Sequence, residues 1–177
     1  MFSQPIVERD SWVELLVKAL AWIAFVIGIV FRFWATLYVG GRKRVELLRD
    51  GPYSLCRNPL YLGSLFVALA TGLFLESASF AMFLLVVMVV YVFLTVPAEE
   101  SDLRAIHGAA YDDYCRNVPR FWPRPSLFHT SPVIDVWVRG LRRESKRAVL
   151  WLLVPVLGSL VCYLRYRPEW PHLFRLL

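Results

Sequence analysis

The chain has 177 residues, which suits one compact domain. Its composition, 58% hydrophobic and 19% charged, is too apolar for a soluble domain, which carries about 25% charge and about half apolar residues. The net charge of +6 reads as a membrane-topology signal and leaves nucleic acid remote as a partner. The cysteines at 56, 115 and 162 are odd in number and widely spaced without a CxxC, which excludes a disulfide framework or zinc site legible from sequence, and His107, His129 and His172 are equally scattered.

Crossing about 30 Å of hydrocarbon takes roughly 20 helical residues. The first apolar run, Trp12 to Val39, meets that length. Before it, Glu8, Arg9 and Asp10 lack the basic start and small-residue cleavage site of a secretory signal, so this end is expected to stay on the chain. Inside the run, Glu14 and Lys18 stand at i, i+4 and are expected to neutralise one another. Arg32 either snorkels to the nearer interface or lines a polar cavity. Gly40-Gly41 reads as a turn.

A dense polar and turn-forming segment follows, Gly51-Pro52-Tyr53-Ser54-Leu55-Cys56-Arg57-Asn58-Pro59-Leu60-Tyr61-Leu62-Gly63. Asn58 suits an N-cap and Pro59 the first helical position. The plain reading is the start of a membrane helix. The sharper one is an anion site, because a helix N-terminus offers unpaired N–H groups and Arg57 adds a fixed cation. Tyr53 and Tyr61 are either interfacial anchors or surfaces for an aromatic base or a cationic ligand.

Leu60 to Leu75 forms a short second span, with Gly63, Ser64, Ala68 and Gly72 marking close helix packing. Ala78 to Val96 forms a third. Pro97-Ala98-Glu99-Glu100 then reads as the start of a further helix reaching about Asn117, its first-turn acids complementing the macrodipole. At the level of the Arg57-Asn58 segment, those acids are also placed to orient ribose hydroxyls, an amino group or a sulfonium. Pro119, Pro123 and Pro125 break the chain. After Ser131-Pro132, Ile134, Trp137, Val138 and Leu141 fall at i, i+3, i+4 and i+7 among Arg139, Arg142, Arg143 and Lys146. That predicts a basic amphipathic helix along an anionic inner leaflet. Ala148 to Leu164 supplies a fourth span.

Segments 40–57 and 97–147 hold five and nine of the twenty Lys and Arg residues, so the positive-inside rule makes both cytoplasmic and both termini non-cytoplasmic. The expected architecture is all-α: a multi-pass integral-membrane bundle of about four helices. The short chain without targeting signals points to a bacterial inner membrane. The sequence shows no dinucleotide fingerprint, P-loop, HExxH or Ser/His/Asp arrangement.

Taken together, these residues resemble the isoprenylcysteine carboxyl methyltransferase family, in the wider group of small membrane methyltransferases that includes the phospholipid N-methyltransferases. The carrying residues are Gly51-Pro52-Tyr53, Arg57-Asn58-Pro59-Leu60-Tyr61-Leu62-Gly63, Glu99-Glu100-Ser101-Asp102-Leu103, Gly108 to Tyr111 with Tyr114, and Val118-Pro119-Arg120-Phe121. The resemblance covers roughly 32–123 of a single domain; 124–177, the amphipathic helix and last span, lie outside it.

What it implies is an enzyme that transfers a methyl group from S-adenosylmethionine to a lipophilic acceptor through its carboxyl, amine or thiol. Helices on the cytoplasmic side would cap the cofactor. Implied cofactor contacts are Val45, Glu46, Leu47 and Leu48, then Tyr53, Arg57, Asn58, Pro59, Leu60 and Tyr61, and Glu99 with Glu100. No side-chain nucleophile is required. The family's usual His is Asn58 here, and an Arg expected four residues before the first Glu is Thr95, which argues against the prenylcysteine carboxylate as substrate. Arg120 and Arg32 are the candidate substrate contacts in its place. Two alternatives stay open, an NADPH-dependent membrane reductase of the sterol-reductase type and a non-catalytic membrane relative; the oligomeric state is left undetermined.

Overall fold

A computed structural model describes residues 11–39, 45–165 and 167. The Gly40-Gly41 turn, the basic residues at 42–44 and the terminal Arg9 and Arg175 lie outside the described residues. Among those described there is no strand. The helices are α1 (Trp12–Val39), α2 (Pro52–Leu55), α3 (Pro59–Phe74), α4 (Ala78–His107), α5 (Ala109–Asn117), α6 (Val138–Trp151) and α7 (Leu153–Arg165), with one 3₁₀ turn at Pro125–Leu127.

Three stretches are long and apolar enough to cross a membrane, Trp12–Val39, Ser79–His107 and Val138–Arg165, and the protein is an integral membrane protein. The expected second span, Leu60 to Leu75, is α3, whose 16 residues rise only about 24 Å at 1.5 Å each. It is nevertheless the centre of the bundle, packing against α1, α4 and α7.

Small residues let α1 and α3 approach. Ala21, Ala24, Phe25, Gly28, Arg32 and Ala35 recur on the buried face of α1 at helical spacing. A methyl group added at Gly28 would stand 2.7 Å from Val67 Cγ2 and 2.8 Å from the Gly63 carbonyl, so the two backbones touch there. Gly72 serves in the same way against Ala81 of α4. At the far end of the bundle from the α3 start, Trp22, Phe25 and Phe74 make edge-on ring contacts at 5.2 to 6.1 Å. Lys18 pairs with Glu14 there, as its spacing predicts, and lies 3.9 Å from Glu76.

Two expected helix starts are corrected. Pro97 does not begin a helix; it lies inside α4, which runs unbroken for 30 residues. The cost is one missing N–H, and packing outweighs it: Val92, Val96, Glu100 and Leu103 form a continuous buried face across the proline. The break comes at Gly108, whose φ of 54° suits glycine. The predicted amphipathic helix likewise starts later, at Val138, leaving Ile134 before it and Trp137 as its cap. Nor is it separate from the last span, since α6 and α7 together form the Val138–Arg165 stretch. They divide at Leu152, where Pro155 offers no N–H to the Trp151 carbonyl. Glu144 and Ala148 are buried and α6 packs on α1, so this helix is not a free surface element.

Gly28→Val is expected to destabilise the bundle by about 1–3 kcal/mol, the usual cost of overpacking, read as a lower thermal midpoint in detergent. An unchanged midpoint would show that α1 and α3 separate freely.

Candidate functional site

The site is built where α1 ends and α3 begins. α2 is a single turn held by its neighbours on both sides. The Gly51 N–H donates to the His129 carbonyl at 2.8 Å, and Gly51 has no Cβ to collide with the Tyr38 ring beside it. Tyr38 Oη in turn stands 2.7 Å from Thr130 Oγ1. The segment from Pro119 to Ser131 acts as a strap across the α2–α3 junction. The Arg57 N–H donates to the Pro119 carbonyl at 2.9 Å and the Arg124 N–H to the Leu55 carbonyl at 3.1 Å. These bonds satisfy backbone groups that two short helices cannot satisfy themselves.

Beneath the strap lies a buried carboxylate. Glu100 accepts from Arg120 Nε at 3.1 Å on both oxygens, meets Arg57 Nη1 at 3.2 Å, and accepts from Asn58 Nδ2 at 3.4 Å. Asn58 therefore occupies the cap position without capping; its amide also donates to the Arg120 carbonyl at 3.2 Å. The expected capping role is corrected: a buried acid and a strap carbonyl draw the side chain away from the helix end. Pro59 is at the first helical position as predicted. Hydrogen bonding to Glu100 holds the Arg120 guanidinium above its ordinary value.

Glu99 takes a different partner, accepting from Tyr61 Oη at 3.1 Å. Tyr61 packs against Tyr91 with centroids 6.1 Å apart, and both rings line a cavity of about 520 Å³. Apolar walls come from Leu60, Met88, Leu150 and Trp151, and the polar ones include Arg32, Ser64 and Arg147. Arg32 is buried and lines this cavity; its Nε donates to Glu144 Oε1 at 2.7 Å.

On the opposite side of the junction, Tyr53, Tyr111 and Tyr114 form a closed aromatic group with Leu47, Leu48, Arg57 and Leu103, around a void of only about 10 Å³. Tyr114 Oη donates to the Tyr53 carbonyl at 2.7 Å, and burial pushes both phenols well up from their ordinary value. Leu47 and Leu48 also edge a second, more polar cavity of about 300 Å³ that includes Glu46, Asp50 and Asp135. Val45 is exposed beside it. The residues named from sequence thus fall in three neighbouring places: the Glu100 cluster, the Tyr61–Glu99 wall, and the 45–48 segment.

This set suits the carboxylate end of a ligand in one specific respect. Arg57 Nε is buried without a hydrogen-bond partner beside the α3 start, a donor left for an acceptor group, and the void of about 10 Å³ that Arg57 lines would have to widen to admit one. Among the described residues, no three His, Cys, Asp or Glu side chains stand together as a metal site. Sequence reasoning missed Ser64, Glu144, Arg147 and Trp151. Only Glu144 left a trace, as the lone acid in a strongly basic helix.

Residues 14–110 match the family model described as phospholipid methyltransferase. The chain is 30% identical over 168 residues to the nickel-cobalt-cadmium resistance protein NccN of Alcaligenes xylosoxydans xylosoxydans, covering 95% of this chain and 78% of that one. It is 32% identical over 143 residues to the cobalt-zinc-cadmium resistance protein CzcN of Cupriavidus metallidurans, covering 81% of this chain and 65% of that one. No solved structure matches.

Two expectations follow from the geometry. Glu100→Ala strands Arg57 in a buried position and is expected to cost about 3 kcal/mol, the low end for a broken buried pair because Arg120 stays partly exposed; thermal unfolding in detergent measures it. Burial pushes the Cys56 thiol up to about 11, so its reactive thiolate is scarce at pH 8 and appears only as pH rises toward that value. Mass spectrometry after brief maleimide treatment at pH 8 is expected to find Cys115 modified and Cys56 intact in the folded protein.

Proposed function

Because the chain belongs to the phospholipid methyltransferase family, we propose that it transfers a methyl group from S-adenosylmethionine to a lipophilic acceptor held in the membrane. The observation that carries this reading is the double role of Tyr61. Its hydroxyl holds Glu99, while its ring lines the 520 Å³ cavity, so one motif residue joins the cofactor segment to an apolar chamber.

The bound cofactor supplies an already activated methyl carbon. Arg57 Nε and the start of α3 take its carboxylate. Glu99, oriented by Tyr61, takes the amino or ribose end, and backbone groups of Val45 to Leu48 complete the enclosure. Glu100 does not reach the ligand in this scheme; it fixes Arg57, Asn58 and Arg120. Because displacement at an activated carbon needs alignment more than acid–base help, these residues act by proximity and exclusion of water, an effect worth up to about 7–11 kcal/mol.

In the proposed topology α3 crosses with the three longer stretches, giving four spans with segments 40–57 and 97–147 cytoplasmic. The cofactor then enters from the cytoplasm and the acceptor laterally from an anionic inner leaflet, which Arg139, Arg142, Arg143 and Lys146 face. A bacterial inner membrane fits the bacterial sources of the two relatives. Any part in metal resistance, as those relatives are named, would be exerted through the methylated product.

Calorimetric titration of S-adenosylhomocysteine into the detergent-purified protein tests the proposal. Saturable binding is expected, weakened at least about tenfold (~1.4 kcal/mol) in Glu99→Ala. Absence of binding in a folded, monodisperse sample would overturn it, and binding of NADPH instead would assign the site to a reductase.

A further inference from the structure

The 520 Å³ cavity carries charges that the methyl-transfer scheme does not use. Arg32 is only 7% exposed, and its guanidinium is fully engaged. Nε and Nη2 donate to the two oxygens of Glu144 at 2.7 and 3.2 Å, Nη1 donates to Ser64 Oγ, and the plane stacks 4.4 Å over Trp151. The second guanidinium, Arg147, reaches the same carboxylate only at 3.5 Å and is 61% exposed. Two cations of the cavity wall, Arg32 and Arg147, thus share one anion, Glu144. A guanidinium beside an apolar chamber is matched best by an acidic group that brings its own apolar chain.

We propose that Arg147 binds an acidic group, phosphate or carboxylate, on the amphiphilic acceptor, and that Glu144 is a positioning residue that locks Arg32 and leaves Arg147 available. This rests on the methyltransferase reading for the word acceptor, while the binding itself stands on the cavity alone. The division of labour follows from the geometry. Arg32 is committed on three sides and holds α1, α3 and α6 together. Arg147 lies one helical turn beyond Glu144, with a single long ion pair to give up. The Tyr61 and Tyr91 rings line the same chamber, and Leu60, Met88 and Leu150 offer the wall for a hydrocarbon chain. The specificity-determining cation therefore comes from α6, beyond the residues that match the family model.

The test is equilibrium binding of dodecyl phosphate to the full chain in dodecyl maltoside, beside dodecyltrimethylammonium and inorganic phosphate. Dodecyl phosphate is expected to bind at least about tenfold more tightly than the cationic amphiphile. Arg147→Gln is expected to lose at least about tenfold of that affinity, and Arg147→Lys to recover most of it; the exposed head group makes misfolding of either variant avoidable, and size-exclusion profiles confirm it. Equal affinity in wild type and Arg147→Gln, or equal binding of both amphiphiles, would overturn the proposal. Displacement by equimolar inorganic phosphate would also overturn it, reassigning the site to a free anion. S-adenosylhomocysteine titrated into the same wild-type sample separates the two readings. Its binding with no amphiphile selectivity sinks this inference alone. Its failure while dodecyl phosphate still binds removes the amphiphile's role as methyl acceptor.

Discussion

A carboxylate buried among two guanidiniums and an amide is the interaction on which this structure turns. Glu100 belongs to α4, Arg57 and Asn58 to the α2–α3 junction, and Arg120 to the strap, so one acid joins three parts of the chain. Placing such an acid out of water is unfavourable alone and becomes tolerable only when every lone pair is met. The cluster can therefore form only when helix, junction and strap are all in position. Its energetic value lies in specifying that arrangement, which in turn sets the height of Tyr61 and Glu99.

A second ionic tie works in the same way on the opposite flank. Arg32 and Glu144, 112 residues apart, clamp α6 to the first helix and recruit Ser64 of α3. The two clusters bracket the start of α3. One stiffens the strapped side, where Tyr53, Tyr111 and Tyr114 close the structure with buried aromatic area; the other frames the open chamber. Two polar networks frame one end of the bundle, while the other end combines ring packing and the Lys18–Glu14 pair with a buried Arg165 that donates to the Leu75 carbonyl at 2.7 Å, so the two ends are held together differently.

Much of this was legible locally. Apolar length alone bounded α1 at Trp12 and Val39, and the Asn-Pro pair marked the first turn of α3. The i, i+4 spacing of Glu14 and Lys18 was enough to pair them. What failed was local grammar in places where distant contacts decide. Pro97 followed by two acids is a good helix start on its own, yet the buried face from Val92 to Leu103 carries α4 through it. Asn58 is a good cap, yet Glu100 claims its amide. The amphipathic period after Ser131 starts at Ile134, although the helix begins only at Val138. Arg32 could be narrowed to two fates but not assigned one, because its partner lies on a helix outside any recognisable motif.

The uninterrupted course of α4 has a mechanical consequence. From Ala78 to Glu99 the helix makes 21 steps, a rise of about 32 Å, close to the roughly 30 Å of a typical hydrocarbon layer. With no hinge between them, the depth of the Glu99 carboxylate and the thickness of the surrounding bilayer are coupled as by a measuring stick. A thicker membrane draws the carboxylate toward hydrocarbon unless the helix straightens against its neighbours, and a thinner one lifts it into water. The lipid that surrounds the protein thereby enters the geometry of its polar site as a length.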